Sequence, residues 1–290
     1  MDKNYKISVI ICVYNEGISI LKALKSLRNN KIYSATEIIL VDDCSTDNST
    51  LQVLAKLNQV KNLQIIRSET NSGLSNSRNL GFDNSTTEII VPLDADDILP
   101  DFSLDLIYKA FEENNDIDFV AGDYYLKDVE TNESQLIKCD DIATKNIIDK
   151  RKLSIHWKLL GTSPCRKSVW KEIGGYSLEF SYSVQDVDFW IRVLQAGFNG
   201  MYLNAPIYVW NRSAGGMNFN FDRFDMTKLL EKHLDFYQLS LTRKYIYNKI
   251  FESYYPYKDK NKILSLGKRY FYHLKMVNKL RFFYAITLSS

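Results

Sequence analysis

The chain has 290 residues, 45% hydrophobic and 25% charged, with a formal net charge of +2, a composition that supports a well-buried domain or a domain with an extension. No stretch approaches the ~20 consecutive apolar residues of a membrane span. The opening MDKNYK has no apolar run behind its charges, so a cytoplasmic location is expected. Four scattered cysteines (Cys12, Cys44, Cys139, Cys165), no CxxC pair and only three histidines argue against a disulfide framework or a zinc site.

The predicted elements alternate over the first hundred residues. ISVIICV (7–13) is a β-branched apolar run that predicts a buried strand, and ISILKALKSLRN (18–29) repeats apolar residues at helical spacing. TEIILV (36–41) predicts a strand; CSTDNSTLQVLAKL (44–57) opens on cap residues and turns helical. LQIIRS (63–68), SNSRNLGF (75–82) and EIIVPL (88–93) predict strand, helix and strand. Strands and helices in strict alternation predict parallel βαβ units, an α/β sheet with helices on both faces. DFSLDLIYKAFEEN (101–114) predicts a helix and IDFVAGDYYL (117–126) a strand, after which residues 127–165 hold no single period. QDVDFWIRVLQAGF (185–198) predicts a helix, GMYLN and PIYVW (200–210) strands, and everything beyond about residue 216 helix.

Ligands of an open parallel sheet bind in the loops at the carboxyl ends of its strands, and here each early strand ends in polar residues. The first delivers Val13-Tyr14-Asn15-Glu16, the second Asp42-Asp43, the third Asn71 and Gly73, and the fourth Asp94-Ala95-Asp96-Asp97. Tyr14 offers a flat face for a base. A carboxylate at Asp43 can accept the imide N–H of uracil, a donor that cytosine lacks. Gly73 opens a turn before a helix N-terminus, which suits phosphate, and Arg78 lies on that helix as a cationic partner. Carboxylates as close as Asp94, Asp96 and Asp97 repel by about 4 kcal/mol per pair at ~4 Å and an effective dielectric of ~20. A divalent cation, Mg²⁺ or Mn²⁺, would relieve that repulsion through hard oxygen ligands and bridge to a diphosphate.

Four ordered motifs, SVIICVYNE, LVDDCSTDNS, NSGLSNSRNLG and LDADD, make the chain resemble family 2 glycosyltransferases. The resemblance covers residues 7 to 100, and IGGYSLEFSYSVQDVDFWIRVLQAGF (173–198) extends it to about residue 215. It implies a GT-A fold, a nucleotide-sugar donor (a UDP-sugar), a glycan or polyprenyl-linked saccharide acceptor, and inversion at the anomeric carbon, in bacterial surface polysaccharide assembly. Asp94 and Asp96 match the family's DxD motif, with Asp96 implied as the direct metal ligand and Asp94 nearer the ribose. Val13, Tyr14, Glu16, Asp43, Gly73, Arg78 and Ala95 fall on the donor side. Asp186 matches the base that deprotonates the acceptor hydroxyl, and an aspartate near its usual pKa of ~3.9 would be ionised at neutral pH. Trp190, four residues on, faces either an acceptor sugar or the core.

Two positions depart from the family pattern: Gln185 stands where the usual acidic pair has its first carboxylate, and Asn211-Arg212-Ser213-Ala214 lacks the histidine of Arg-x-His. A third metal contact is therefore unassigned. Without Gln-x-x-Arg-Trp, single additions are expected rather than polymerisation. The absence of GxGxxG argues against a dinucleotide-binding dehydrogenase, VYNEGIS lacks the Arg-containing loop of nucleotidyltransferases, and no nucleic-acid partner is indicated. The alternative is a catalytically inactive sugar-nucleotide or glycan-binding protein of the same fold.

The expected division is a catalytic domain over 1–215, with a nucleotide half (1–98) and an acceptor half (99–215), and a basic helical extension over 216–290. Residues 243–281 hold eleven Lys or Arg against Glu252 and Asp259, a local charge of +9. Ile263, Leu266, Tyr270, Leu274 and Val277 recur at spacings of 3, 4, 4 and 3. Lys268, Lys275 and Lys279 fall opposite, with Arg269 beside them. Such a helix either lies on an anionic membrane, making the protein peripheral, or packs its stripe on the catalytic domain with the lysines solvated.

Overall fold

The computed structural model describes residues 4–57, 59–180, 184–213, 223–241, 243–254 and 260–287. Among them, ten strands form one sheet in the order β3-β2-β1-β4-β9-β5-β10-β8-β7, with β6 paired to β5. The first four are β1 (Ile7–Val13), β2 (Thr36–Asp42), β3 (Leu63–Arg67) and β4 (Ile89–Asp94). They are mutually parallel, linked through α1 (Ser19–Ser26), α2 (Asn48–Leu57) and α3 (Leu74–Asn84). β2 is buried along its whole length, as a strand covered on both faces must be. Alternation along β1 assigns its faces. Ile7, Val9, Ile11 and Val13 join a core with Ile20 and Leu24 of α1, Val53 of α2 and Ile107 of α4 (Ser103–Glu113). Ile10 points the other way, against Gly81 of α3. Helices therefore cover both faces.

The acceptor-side strands are β5 (Phe119–Asp128), β6 (Ser134–Ile137), β7 (Ala143–Thr144), β8 (Ile147–Ile148), β9 (Cys165–Arg166) and β10 (Gly200–Arg212). β9 has two residues and runs antiparallel to both β4 and β5. β5 and β10 are again parallel. The two strands expected over 200–210 are one: β10 runs through, shifting register between Leu203, Pro206 and Tyr208, so Pro206 sits at an irregularity where its missing N–H is tolerated. α6 (Lys167–Ile173) and α7 (Gln185–Ala196) complete this side.

The chain divides into two compact units, Met1–Asp149 with Lys158–Phe219, and Lys150–Trp157 with Asn220–Ser290. The second holds α5 (Lys150–Ile155), α8 (Arg223–Lys232), α9 (Leu234–Tyr237), α10 (Arg243–Tyr254), α11 (Lys260–Tyr270) and α12 (Met276–Thr287). α5 belongs there because Trp157 packs edge-on against Phe236 at 6.2 Å and Ser240 donates to the Arg151 carbonyl at 3.0 Å. The expected boundary at 215/216 lies outside the described residues. The stripe read from the sequence resolves unevenly. Ile263, Leu266, Tyr270 and Leu274 form the second unit's own core with Ile246, Ile250 and Phe251, and only Val277 is exposed. The core of the helical unit, not a lipid surface, takes that stripe. No helix among the described residues is long and apolar enough to cross a membrane.

Candidate active site

Sheet register gathers the polar strand ends. Val13 pairs with Asp42 and Cys12 with Asp94, so β1, β2 and β4 deliver their last residues to one edge. The Asp43 N–H donates to the Val13 carbonyl at 2.8 Å. Asn15, held at φ +59, accepts from the N–H groups of Thr46 and Asp47 at 2.8 and 3.1 Å. It thereby locks the β1 and β2 loops together, and Tyr14 beside it stays exposed.

Asp43 does more than face the edge. Its two oxygens accept from the N–H groups of Ser72 and Gly73, at 2.9 and 2.8 Å, and the residue is buried. Gly73 caps α3 at φ +85, a conformation open to glycine at no steric cost. Both Asp43 oxygens thus hold the glycine turn, and any base contact would use their remaining lone pairs. Asp43→Ala would orphan the Ser72 N–H and leave the Gly73 N–H only its 3.2 Å bond to Asn71 Oδ1. We expect a loss of about 1.5–3 kcal/mol in stability, read as a lowered urea midpoint, together with weaker UDP binding. Unchanged stability and UDP affinity would remove Asp43 from both roles.

Arg78 of α3 is almost fully buried. Its Nη2 donates to Asp94 Oδ1 at 2.8 Å, and its guanidinium lies 5.4 Å from the Tyr176 ring centroid. Burial alone would lower its pKa, but Asp94 and Tyr176 more than offset this and hold the cation charged. Nη1 is buried with no hydrogen-bond partner. An orphaned cationic donor beside the acidic end of β4 suits an anionic group.

The acidic loop after β4 is clamped from β10. Tyr208 O–H donates to Asp97 Oδ2 at 2.8 Å and accepts from the Asp94 N–H at 3.2 Å. Asn211 donates its N–H to Asp97 Oδ1 and its side-chain amide to the Asp96 carbonyl, both at 2.7 Å. Asp97 is thereby an interior anchor, its pKa well raised by burial and then by Asp94 and Asp96. Ala95 is buried, and Asp96 keeps an exposed side while its carboxyl turns into the crowded edge shared with Asp94 and Glu16. The Asp96 carboxyl is pushed up to about 6, through loss of water around it and then through Asp94. Glu16 of the β1 loop is pushed up to about 7 by burial, then by Asp96, Asp94 and Asp47. Glu16, Asp94 and Asp96 thus share one crowded anionic field.

Does this donor set fit a divalent cation? The candidate ligands are hard carboxylate oxygens; Arg78 already neutralises one oxygen of Asp94, and Asp96 with the second Asp94 oxygen remains for a cation. Among the described residues no three acidic, His or Cys side chains form a ready cage. That pairing suits Mg²⁺ or Mn²⁺, which are bound by one or two carboxylates together with waters and substrate phosphates. The sequence stretch for a third contact runs into residues 214–222, outside the described residues.

Asp186 enters from the acceptor side, in the first turn of α7, where a helix N-terminus favours negative charge. Its Oδ1 accepts from the Val187 N–H at 2.9 Å, and Gly161 packs so closely that a Cβ there would collide with the carboxylate. Burial raises its pKa, against the pull of Arg78 and the Val187 N–H, which corrects the expectation of an ordinary aspartate. Trp190 is fully buried, with its ring 5.0 Å from Phe119 and 5.1 Å from Phe189; it is core and no wall for a sugar. Next to it, Asp188 is held by Arg192 Nε at 2.8 Å, and Arg192 also donates to the Ile173 and Gly175 carbonyls. Asn79 accepts from Trp170 Nε1 and the Tyr176 N–H. Sequence reading assigned no role to Asn15, Asn79, Tyr208 or Asn211. Their duties are long-range contacts that no local pattern announces, although Asn15 and Asn79 stand inside the motifs.

The protein-family model for Glycosyl transferase family 2 matches residues 8–174, more than half of the chain. The chain is 33% identical to the glycosyltransferase GlyG of Streptococcus pneumoniae over 119 residues, 41% of this chain and 39% of that one. It is 28% identical to an uncharacterized glycosyltransferase of Haemophilus influenzae over 208 residues, 69% of this chain and 66% of that one. Against the Staphylococcus aureus poly(ribitol-phosphate) β-N-acetylglucosaminyltransferase TarP it is 29% identical over 197 residues, 67% and 59%. The chain thus covers less than two thirds of the length of each of these relatives. Residues 1–349 of S. aureus TarS, solved with UDP-GlcNAc, superpose at a TM-score of 0.67 and 19% identity, covering 96% of this chain and 79% of that one. The architecture is the GT-A fold, and the chain belongs to glycosyl transferase family 2.

Proposed function

We propose that this protein transfers one sugar from a UDP-sugar to a hydroxyl of a glycan or lipid-linked saccharide, with inversion, in the assembly of a bacterial surface polymer. The observation that carries the reading is the convergence of the acidic loop, Asp94 and Asp96, with the buried Arg78 and with Asp186 from the opposite side of the sheet edge. UDP as the nucleotide draws support from TarS, which has been solved with UDP and with UDP-GlcNAc. A surface-polymer acceptor draws support from TarP and from the minor teichoic acid biosynthesis protein GgaB of Bacillus subtilis.

In this reading Tyr14 stacks on the uracil, while Asp43 fixes the glycine turn and faces the base. Arg78 turns its unpaired Nη1 to the diphosphate. Asp96, with Asp94, would hold a divalent cation that stabilises charge developing on the departing diphosphate. Asp186 takes the proton of the acceptor hydroxyl as its oxygen bonds to the anomeric carbon. The bond from that carbon to the diphosphate oxygen breaks on the opposite face, and UDP leaves with the electron pair. The clamp from Tyr208 and Asn211 keeps the acidic loop in place through that change of charge.

The test is a panel of UDP-, GDP-, dTDP- and CDP-linked sugars with Mn²⁺, scored for nucleotide release without acceptor and for nucleotide affinity by calorimetry. A UDP-sugar should be hydrolysed slowly and UDP bound well above CDP, because cytosine presents a ring acceptor where uracil presents a donor. Equal UDP and CDP affinities would overturn the uridine assignment, and release from none of the donors would overturn the enzymatic one.

A further inference from the structure

Helix α12 is inside out for a solvated helix. It buries the polar Asn278 along with Phe282 and turns Met276 (72% exposed), Val277, Leu280 (59%) and Phe283 (51%) outward. At 3.6 residues per turn those four fall within about 120° of arc. Tyr272, 93% exposed, continues the patch, because the Phe271 ring lies 6.0 Å from Tyr272 and 5.6 Å from Phe283. Lys279 Nζ stands 5.0 Å above that same Phe271 ring, and Lys275 is exposed beside Met276. From residue 260 to residue 290 the sequence holds seven Lys or Arg and not one Asp or Glu.

We infer that this face of the helical unit docks on an anionic lipid surface. Single exposed apolar residues are ordinary, but a contiguous set marks an interaction site. Charge selects the occupant. A second copy of the chain meeting this face isologously would set two strongly basic segments against each other. A bilayer with anionic headgroups satisfies both parts at once. Its acyl boundary takes Met276, Leu280 and Phe283, and its headgroups take Lys275 and Lys279. This surface differs from the stripe that the sequence periodicity suggested, four of whose five residues are core. It stands independently of the donor and acceptor assignments.

The full-length chain should co-sediment with phosphatidylcholine vesicles containing phosphatidylglycerol and not with phosphatidylcholine alone, and salt should weaken the binding. Lys275→Glu with Lys279→Glu reverses two charges, a net change of four units, and should lower partitioning about 10³-fold. Leu280→Ser with Phe283→Ser should lower it more than ~10-fold. All four side chains lie at the helix surface, so circular dichroism and slow donor hydrolysis should match the parent protein. Three results would overturn the inference. These are wild-type indifference to anionic vesicles, variants that bind like the parent, and lipid-free self-association that Leu280→Ser with Phe283→Ser abolishes.

Discussion

Asp186→Asn should lower sugar transfer by roughly 10²–10⁴-fold and leave UDP affinity essentially unchanged. The substitution keeps the shape of the side chain and removes its basicity, and among the described residues its bond is to its own helix, at the Val187 N–H. The pH profile sharpens the test. Burial raises the pKa of Asp186, and a base takes the acceptor proton only when ionised. Protonation below its folded pKa therefore switches transfer off, and the rate rises as pH climbs through that value. The acidic limb should lie above the ~3.9 of a free aspartate and should be missing from the Asn variant's residual rate. Gly161→Ala should reach a similar loss by displacing the carboxylate, with nucleotide binding again spared. A large fall in UDP affinity in Asp186→Asn, or near-normal turnover, would place the base elsewhere.

Asp96→Asn should abolish the enhancement of UDP binding by Mn²⁺ while leaving the much weaker metal-free affinity in place. Protonated carboxyls compete with a cation, and the crowded surroundings push the carboxyls of Asp96 and Glu16 up, to about 6 and about 7. Both shifts are upward, so protons hold the site at acidic pH and are released as pH rises. The enhancement in the parent protein should grow through that same interval. Calorimetry giving equal UDP affinities in Mn²⁺ and in EDTA for the parent chain would remove the cation from the reading. Enhancement retained in Asp96→Asn would move the ligand to another side chain.

Much of the nucleotide half is legible in the sequence because its signals are local. A β-branched run such as ISVIICV is a buried strand wherever it falls, and the residues that follow it stand at the sheet edge by construction. The acceptor half is less legible. β9 is too short to have a period, and Pro206 reads as a break although the strand passes through it with a register shift. Tyr208 reaches its partner Asp97 across 111 positions of sequence, and the raised pKa of Asp186 comes from burial, which spacing does not encode. The basic tail fails for another reason. Periodicity finds an apolar stripe but cannot say which of two stripes the core will take, and here Leu266 and Tyr270 went in while Leu280 and Phe283 stayed out.

β9 sets the order in which the molecule can be built. Its residues Cys165 and Arg166 lie between β4 and β5, and backbone bonds tie Val120 to Pro164, Arg166 to Asp118 and Lys167 to Glu88. A chain emerging from the ribosome completes β4 at residue 94 and then adds some seventy residues before this seam can close. Throughout that interval the nascent sheet carries one flank of β4 as a bare edge, open to pairing with another strand. Synthesis that stalls before residue 165 therefore yields a nucleotide half with its internal flank unsealed, a species for chaperones to shelter.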